Sequence, residues 1–272
     1  MTAASRLDGA HRDWRIVRLG AVDSTNEEAR RRALTGVADR MWIVADEQTA
    51  GRGRRGRAWI SPRGNLYASC LMIDPCPREV GAQLGFVAGV ALAHAAKDLG
   101  ASEIGIKWPN DLMSYDAKCA GILVEGLALG GGRAAYVVGV GVNCAHAPKG
   151  PGYATSCLTQ AGGHEVAPSE VFERLVQRFS EALALWRAGE AFDRIRADWL
   201  DCALGLGQRI AIKNEANPRE GVFEGIDASG RLLMRSEHGL ETIEAADLWL
   251  LPNSGAPRQA VVSASNQPEG RA

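Results

Sequence analysis

The chain has almost no net charge. Over 272 residues, 31 Lys and Arg stand against 32 Asp and Glu, a net of −1. A protein that lives on a polyanion carries a clear basic excess, so the balance argues against a dedicated nucleic-acid binder while leaving room for a local basic site. A C-x-x-C pair is also missing, and no histidine stands at ligand spacing to Cys70, Cys76, Cys119, Cys144, Cys157 or Cys202. The familiar zinc patterns are therefore excluded, and the six cysteines read as reduced thiols of a cytoplasmic protein. The first twenty residues lack the apolar stretch of a secretory leader. No 18 consecutive residues are apolar, so no membrane span is expected. No internal repeat is present. What remains is an ordinary globular composition, 46% hydrophobic and 23% charged, enough for a sizeable core. Its length suits one large domain, or one large and one small.

The pattern along the chain divides near Leu204. Before it, "DSTNEEARRRAL" (23–34) reads as a helix start, with Ser24 or Thr25 as cap and Glu27 or Glu28 closing a capping box. Strands are expected at 41–48, 65–73, 103–108, 119–129 and 134–143, the last two joined by a Gly130-Gly131-Gly132 turn. An Ala/Leu-rich helix fills 80–100, and one or two helices fill 168–202. After Leu204, short strands recur about every ten residues between Asn-Pro, Ser-Gly and His-Gly turns, the texture of a small β-barrel. The expected units are 1–203, 204–252 and a disordered tail at 253–272.

The segment "EQTAGRGRRGRAWISP" (47–62) contains a literal G-x-G-x-x-G. The dinucleotide reading needs a helix to open on those glycines, and loop residues follow instead. Four arginines beside Trp59 also fit a patch that grips an RNA strand, but one loop in a neutral chain is not an extended surface. Glycine amides together with arginines point to an anion held closely by a wrapping loop. A second constellation is "KWPNDLMSYDAKCAGILVE" (107–125). There Trp108-Pro109 stiffens the approach to Asn110 and Asp111, which read as turn residues. The third is "VVGVGVN" (137–143), where strand glycines indicate either close ligand approach or a bulge.

Together "DSTN" (23–26), "EQTAGRGRRGRAWISP" (47–62), "KWPNDL" (107–112), "KCAGILVE" (118–125) and "GVGVN" (139–143) closely resemble the biotin protein ligases, in that family's order. The related lipoate ligases share the core fold but not this arginine–glycine loop. The resemblance implies an α+β fold of class II synthetase type, with a mixed or antiparallel sheet and helices, plus the small C-terminal barrel. It also implies a two-step reaction. Biotin's carboxylate attacks the α-phosphate of ATP, with Mg²⁺ bound mainly through ATP and no protein residue assigned to the metal. A carrier-domain lysine then attacks the mixed anhydride and releases AMP.

By the same resemblance, Lys118, Asp111 and Arg54 are catalytic. Biotin falls to Ser24, Thr25, Asn26, Gln48, Gly51, Arg52, Gly53, Arg54, Lys118 and Gly121. ATP or the adenylate falls to Arg52, Arg54, Trp59, Lys107, Asn110 and Asn143. Fixed cations suit the approach of an anion to a polyanion, and a loop folded over the anhydride shields it from water. In the second step Asp111 serves as a general base or as an electrostatic orienter of the amine. The implied partners are biotin carboxyl carrier domains of acyl-CoA carboxylases or pyruvate carboxylase, with no DNA and no membrane, and the chain is a monomer or weak homodimer. Only about twenty residues precede "DSTN", so the expectation is a ligase without a DNA-binding domain. A ligase for another acyl cofactor, such as lipoate, is the alternative.

Overall fold

A computed structural model describes residues 4–5, 14–36, 39–149, 152–213, 219–244 and 246–251. The expected 253–272 tail and the Asn-Pro turn at 217–218 lie outside those residues.

The first unit is built on an eight-stranded sheet. Its strands are β1 (Ala4–Ser5), β2 (Arg15–Val22), β3 (Met41–Gln48), β4 (Leu66–Ile73), β5 (Ile104–Lys107), β6 (Asp111–Ser114), β7 (Ala117–Ala128) and β8 (Ala134–Val142). Their spatial order is β1-β2-β3-β4-β8-β7-β6-β5. Only β2 and β3 run parallel, and the helix α1 (Thr25–Leu34) makes the crossover that such a pair needs. β4 and β8 are the central strands and are buried along almost their whole length. They are near-continuous apolar runs because both faces of the sheet are covered there.

One face carries α2 (Leu84–Asp98), α4 (Pro168–Trp186) and α5 (Phe192–Asp201); a short α3 (Leu158–Gly162) lies between α2 and α4 in the chain. Trp14, Trp42, Phe172 and Phe179 interlock on this face with ring centroids 5.4–6.2 Å apart, mostly edge to face. The opposite face is covered by α1 through Ala29 and Ala33. Among the described residues, Arg78–Asp98 is the one helical stretch whose length and mean hydropathy (1.2) would allow it to cross a membrane. It is mostly buried inside the fold, as the core helix.

Strands β9 (Arg209–Lys213), β10 (Arg219–Ile226), β11 (Leu232–Ser236), β12 (Gly239–Ile243) and β13 (Asp247–Leu250) form a second, antiparallel sheet in the order β12-β11-β10-β9-β13. No pairing joins β12 to β13 among the described residues, so this small all-β unit is not closed into a full barrel there. The units share one apolar core, which runs from Phe86 and Trp108 into Phe223, Ile226 and Met234. Trp108 Nε1 donates to the Gly230 carbonyl at 3.1 Å, and Arg196 Nε donates to the Ile226 carbonyl at 2.5 Å. Change of sheet, rather than a gap in packing, is what separates the units.

Three local expectations are corrected. β2 lies in a stretch with no strand signal noted. Asp111, read as a turn residue, opens β6 instead. Neither Ser24 nor Thr25 caps α1 with its side chain. Asp23 accepts the Ser24 amide at 2.8 Å, and it is clamped by Arg31 through two contacts of 2.8 Å. The Arg31 guanidinium holds the Asp23 carboxyl down near 2. The two hydroxyls are thereby released for other partners.

All six cysteines are free thiols, five buried and Cys76 half-buried. Burial pushes Cys119 up to about 11 and Cys144 up to about 12. At pH 8 the Cys119 thiolate is then about one part in a thousand. Mass-mapped iodoacetamide labelling of the native protein at that pH should therefore modify Cys76 first and leave Cys119 and Cys144 unmodified until denaturant is added.

Candidate active site

The sheet ends, the N-terminus of α1 and the arginine–glycine segment enclose an open cavity of about 1140 Å³. That volume suits a ligand larger than most small metabolites. Arg52, Arg54, Arg57, Lys107 and Lys118 line it against two acids, Asp111 and Asp116. The near-neutral chain thus concentrates positive charge in one place, which is what an anionic substrate needs.

The segment 51–61 is a flap with hairpin-like pairing. Arg52 bridges Ala58 and Gln48 bridges Ser61. The Gly53 amide donates to the Arg57 carbonyl at 2.7 Å, and the Trp59 amide donates to the Gly51 carbonyl at 2.9 Å. At its tip Arg55 and Gly56 both have positive φ (58° and 71°), a backbone that favours the glycine beside the arginine. No helix opens here beyond the three-residue turn Arg54–Gly56, which removes the structural basis for a dinucleotide loop. Most of the flap is exposed, with Gly51 and Ser61 as buried anchors.

Beneath the flap the polar groups form a chain. Thr25 donates to Gln48 Oε1 through both its amide (2.9 Å) and its hydroxyl (3.1 Å). Gln48 Nε2 donates to Ser61 Oγ at 2.9 Å, and that hydroxyl donates to the Trp59 carbonyl at 2.8 Å. Ser69 Oγ donates to Asn26 Oδ1 at 2.6 Å and lies 2.7 Å from Thr25 Oγ1. Asn26 Nδ2 donates to Glu125 at 2.7 Å. Four of the residues assigned to biotin, Ser24, Thr25, Asn26 and Gln48, therefore meet at one end of the cavity. Thr25, Asn26 and Gln48 are held there by these hydrogen bonds, as a neutral, hydrogen-bonding ligand requires.

At the other end Lys118 Nζ lies 2.6 Å from Asp111 Oδ1, with both side chains largely buried. The ammonium sits 5.3 Å from the Trp59 ring centroid and 5.6 Å from that of Tyr153. Asn110 anchors the site to β7: its Nδ2 donates to the Ile122 carbonyl at 2.7 Å, and its Oδ1 accepts from Arg54 at 3.1 Å. Arg52 pairs with Glu27 of α1 and reaches toward Glu125 at 3.9 Å. Lys107, Gly53 and Gly121 also border the cavity.

The strand glycines of β8 have a clear role. β8 pairs with both neighbours in regular register, so they mark no bulge. A Cβ at Gly139 would collide with the Asn26 amide, and one at Gly141 with the Trp59 indole. In this structure the groups that approach these glycines are side chains of the protein itself.

Two assigned residues sit elsewhere. Gly51 does not face the cavity; it packs against the Trp59 carbonyl, Ser61 and Gln48 at the base of the flap. Asn143 lies behind Trp59 and donates through Nδ2 to the Ser156 carbonyl (3.0 Å) and the Lys118 carbonyl (3.4 Å). Its Oδ1 is buried without a partner, as is the Trp59 indole N–H. Ser69, Glu125 and Tyr153 were missed. Ser69 was detectable as a hydroxyl inside the apolar run "LYASCLMI"; nothing local marks Tyr153, which a distant loop delivers. Burial, then the charge of Asp111, pushes the Tyr153 phenol up.

A family model described as biotin/lipoate A/B protein ligase family matches residues 20–143, and the biotin protein ligase C terminal domain matches 205–248. A biotin–[acetyl-CoA-carboxylase] ligase of Paracoccus denitrificans is 41% identical over 245 residues, covering 85% of this chain and 98% of the relative. The bifunctional ligase/repressor BirA of Bacillus subtilis is 30% identical over 235 residues, covering 84% of this chain and 72% of that protein. The solved biotin protein ligase from Aquifex aeolicus in complex with biotin and ATP superposes with a TM-score of 0.74 at 28% identity, over 87% of this chain and 99% of that one. On sequence and fold alike, the chain belongs to the biotin protein ligase family.

Proposed function

We propose that this protein, acting in the cytoplasm, activates biotin with MgATP and transfers the biotinyl group to a lysine of a biotin carboxyl carrier domain. The carriers are those of acyl-CoA carboxylases or pyruvate carboxylase, and the enzyme works as a monomer or weak homodimer without a DNA partner. In the first step a biotin carboxylate oxygen attacks the α-phosphorus and pyrophosphate leaves. Both reactants are anions, so the step depends on cations fixed in advance. Lys118, Arg52 and Arg54 supply them, while Thr25, Asn26 and Gln48 orient the neutral bicycle; the positions of all six along the cavity support this reading. In the second step the carrier amine attacks the acyl carbonyl, AMP departs, and the amine loses a proton. The flap excludes water while the anhydride persists.

The observation that carries this reading is the Lys118–Asp111 pair on the floor of a cation-lined cavity under the flap. The test incubates the protein with MgATP, labelled biotin and a biotin-free carrier domain. Label should appear on the carrier lysine, and none should appear when labelled lipoate replaces biotin. No label from biotin, or equal label from lipoate, would overturn the proposal.

A further inference from the structure

The two strands that bear the acid and amine of the site form one hairpin. β6 starts at Asp111, β7 carries Lys118, and Ser114 pairs with Ala117 to close a turn at Tyr115-Asp116. Tyr115 takes φ of 50° there. That region of backbone favours Gly, Asn and Asp, which fill the first central position of most two-residue hairpin loops. An aromatic residue is a poor local choice for it. Burial does not compensate, because Tyr115 is 73% exposed, the most exposed of the large hydrophobic side chains described. No hydrogen bond or ring contact of its side chain is described either. A residue that disagrees with its backbone and touches little of its own fold marks a functional position.

Its place on the molecule says what that function is. Tyr115 stands on the rim of the cavity, three residues from Lys118 and four from Asp111. At about 3.3 Å per strand residue it projects roughly 10–13 Å beyond them. Ile60, 45% exposed, borders the same opening from the flap. Any protein whose lysine reaches the Asp111–Lys118 floor passes this rim. We propose that Tyr115 is the aromatic anchor on which the carrier domain docks, so that the hairpin tip sets recognition of the acceptor protein while its base conducts the chemistry. This rests on the function proposed above. Tyrosine suits the task, since it offers a large, rigid contact at small entropic cost and recurs among the residues that dominate interface energy.

The decisive variant is Tyr115→Asn, because asparagine fits the tip's backbone better than tyrosine does. Its melting temperature should not fall, and biotin-dependent ATP–pyrophosphate exchange should match the wild type. The KM for a biotin-free carrier domain of an acyl-CoA carboxylase should rise about tenfold. Tyr115→Phe, which keeps the ring, should retain most of the wild-type KM. An unchanged carrier KM in Tyr115→Asn would overturn the proposal. So would a parallel loss of pyrophosphate exchange, which would place the ring in the first step. A change confined to sedimentation of the free enzyme would assign the tip to self-association and equally defeat it. The wild type assayed alongside separates these results from failure of the functional reading, since in that case it too would leave the carrier unlabelled.

Discussion

Replacing Lys118 with alanine should lower biotinyl-adenylate formation by about 10²–10³-fold, the usual cost of removing one preorganised electrostatic group. The reason is geometric. Lys118 Nζ is fixed by Asp111 at 2.6 Å and framed by Trp59 and Tyr153. It therefore needs little reorganisation as negative charge gathers between carboxylate and phosphate. A mobile surface lysine at the same distance would contribute far less. The substitution also leaves Asp111 partly buried and without its counter-ion, which costs stability on its own account. Two controls separate these effects. A thermal melt reports the fold, and the double variant Lys118→Ala/Asp111→Asn relieves the stranded charge. If the double variant folds as well as the wild type and pyrophosphate exchange stays low, the loss belongs to catalysis. Exchange at the wild-type rate in Lys118→Ala would refute the assignment.

Asp111→Asn should slow transfer from preformed adenylate to the carrier by about 10²-fold, and adenylate formation by much less. Asparagine keeps the shape and can still accept a hydrogen bond from Lys118, so only the charge and the basicity are removed. General-base assistance is worth about 10²–10⁴-fold. The pH profile tells the two candidate roles apart. A free lysine amine ionises near ~10.4, so rising pH itself supplies the neutral nucleophile. If Asp111 removes the proton, the deficit of Asp111→Asn shrinks as pH climbs from 7 to 10. If Asp111 only orients the amine, the deficit stays level over that range. Single-turnover transfer measured at several pH values gives the answer. Wild-type transfer at pH 7 would remove Asp111 from the step altogether.

The flap shows how far local reading goes. Its glycines and arginines announce a close anion site, and the lack of a following helix already rules out the dinucleotide loop. What cannot be read locally is that the segment doubles back so that Trp59 enters the notch left by Gly141. The same holds for Ser24 and Thr25. Their spelling fits a helix cap, yet Asp23 accepts the Ser24 amide and pairs with Arg31, and Gln48 accepts both the amide and the hydroxyl of Thr25. Asn143 lies correctly at a strand end, but its amide is committed to the Ser156 and Lys118 carbonyls behind the indole. These placements share one cause: a side chain packs or bonds with what is near it in space, and nearness in space is not a property of the string.

The sequence by itself determined most of the elements, though not β2 or β6, and the chemistry of the family. Apolar runs marked β4 and β8 as strands, the change of strand spacing after Leu204 announced a second sheet, and the ordered motifs named the family. Tertiary structure decided the arrangement. A crossover helix makes β2 and β3 parallel, and a hairpin sets Asp111 against Lys118 while lifting Tyr115 to the rim. A shared core joins the two sheets that a change of sequence texture had divided. The physical reason is that periodicity and turn chemistry act over a few residues, whereas the cavity is made by contacts between segments tens of residues apart.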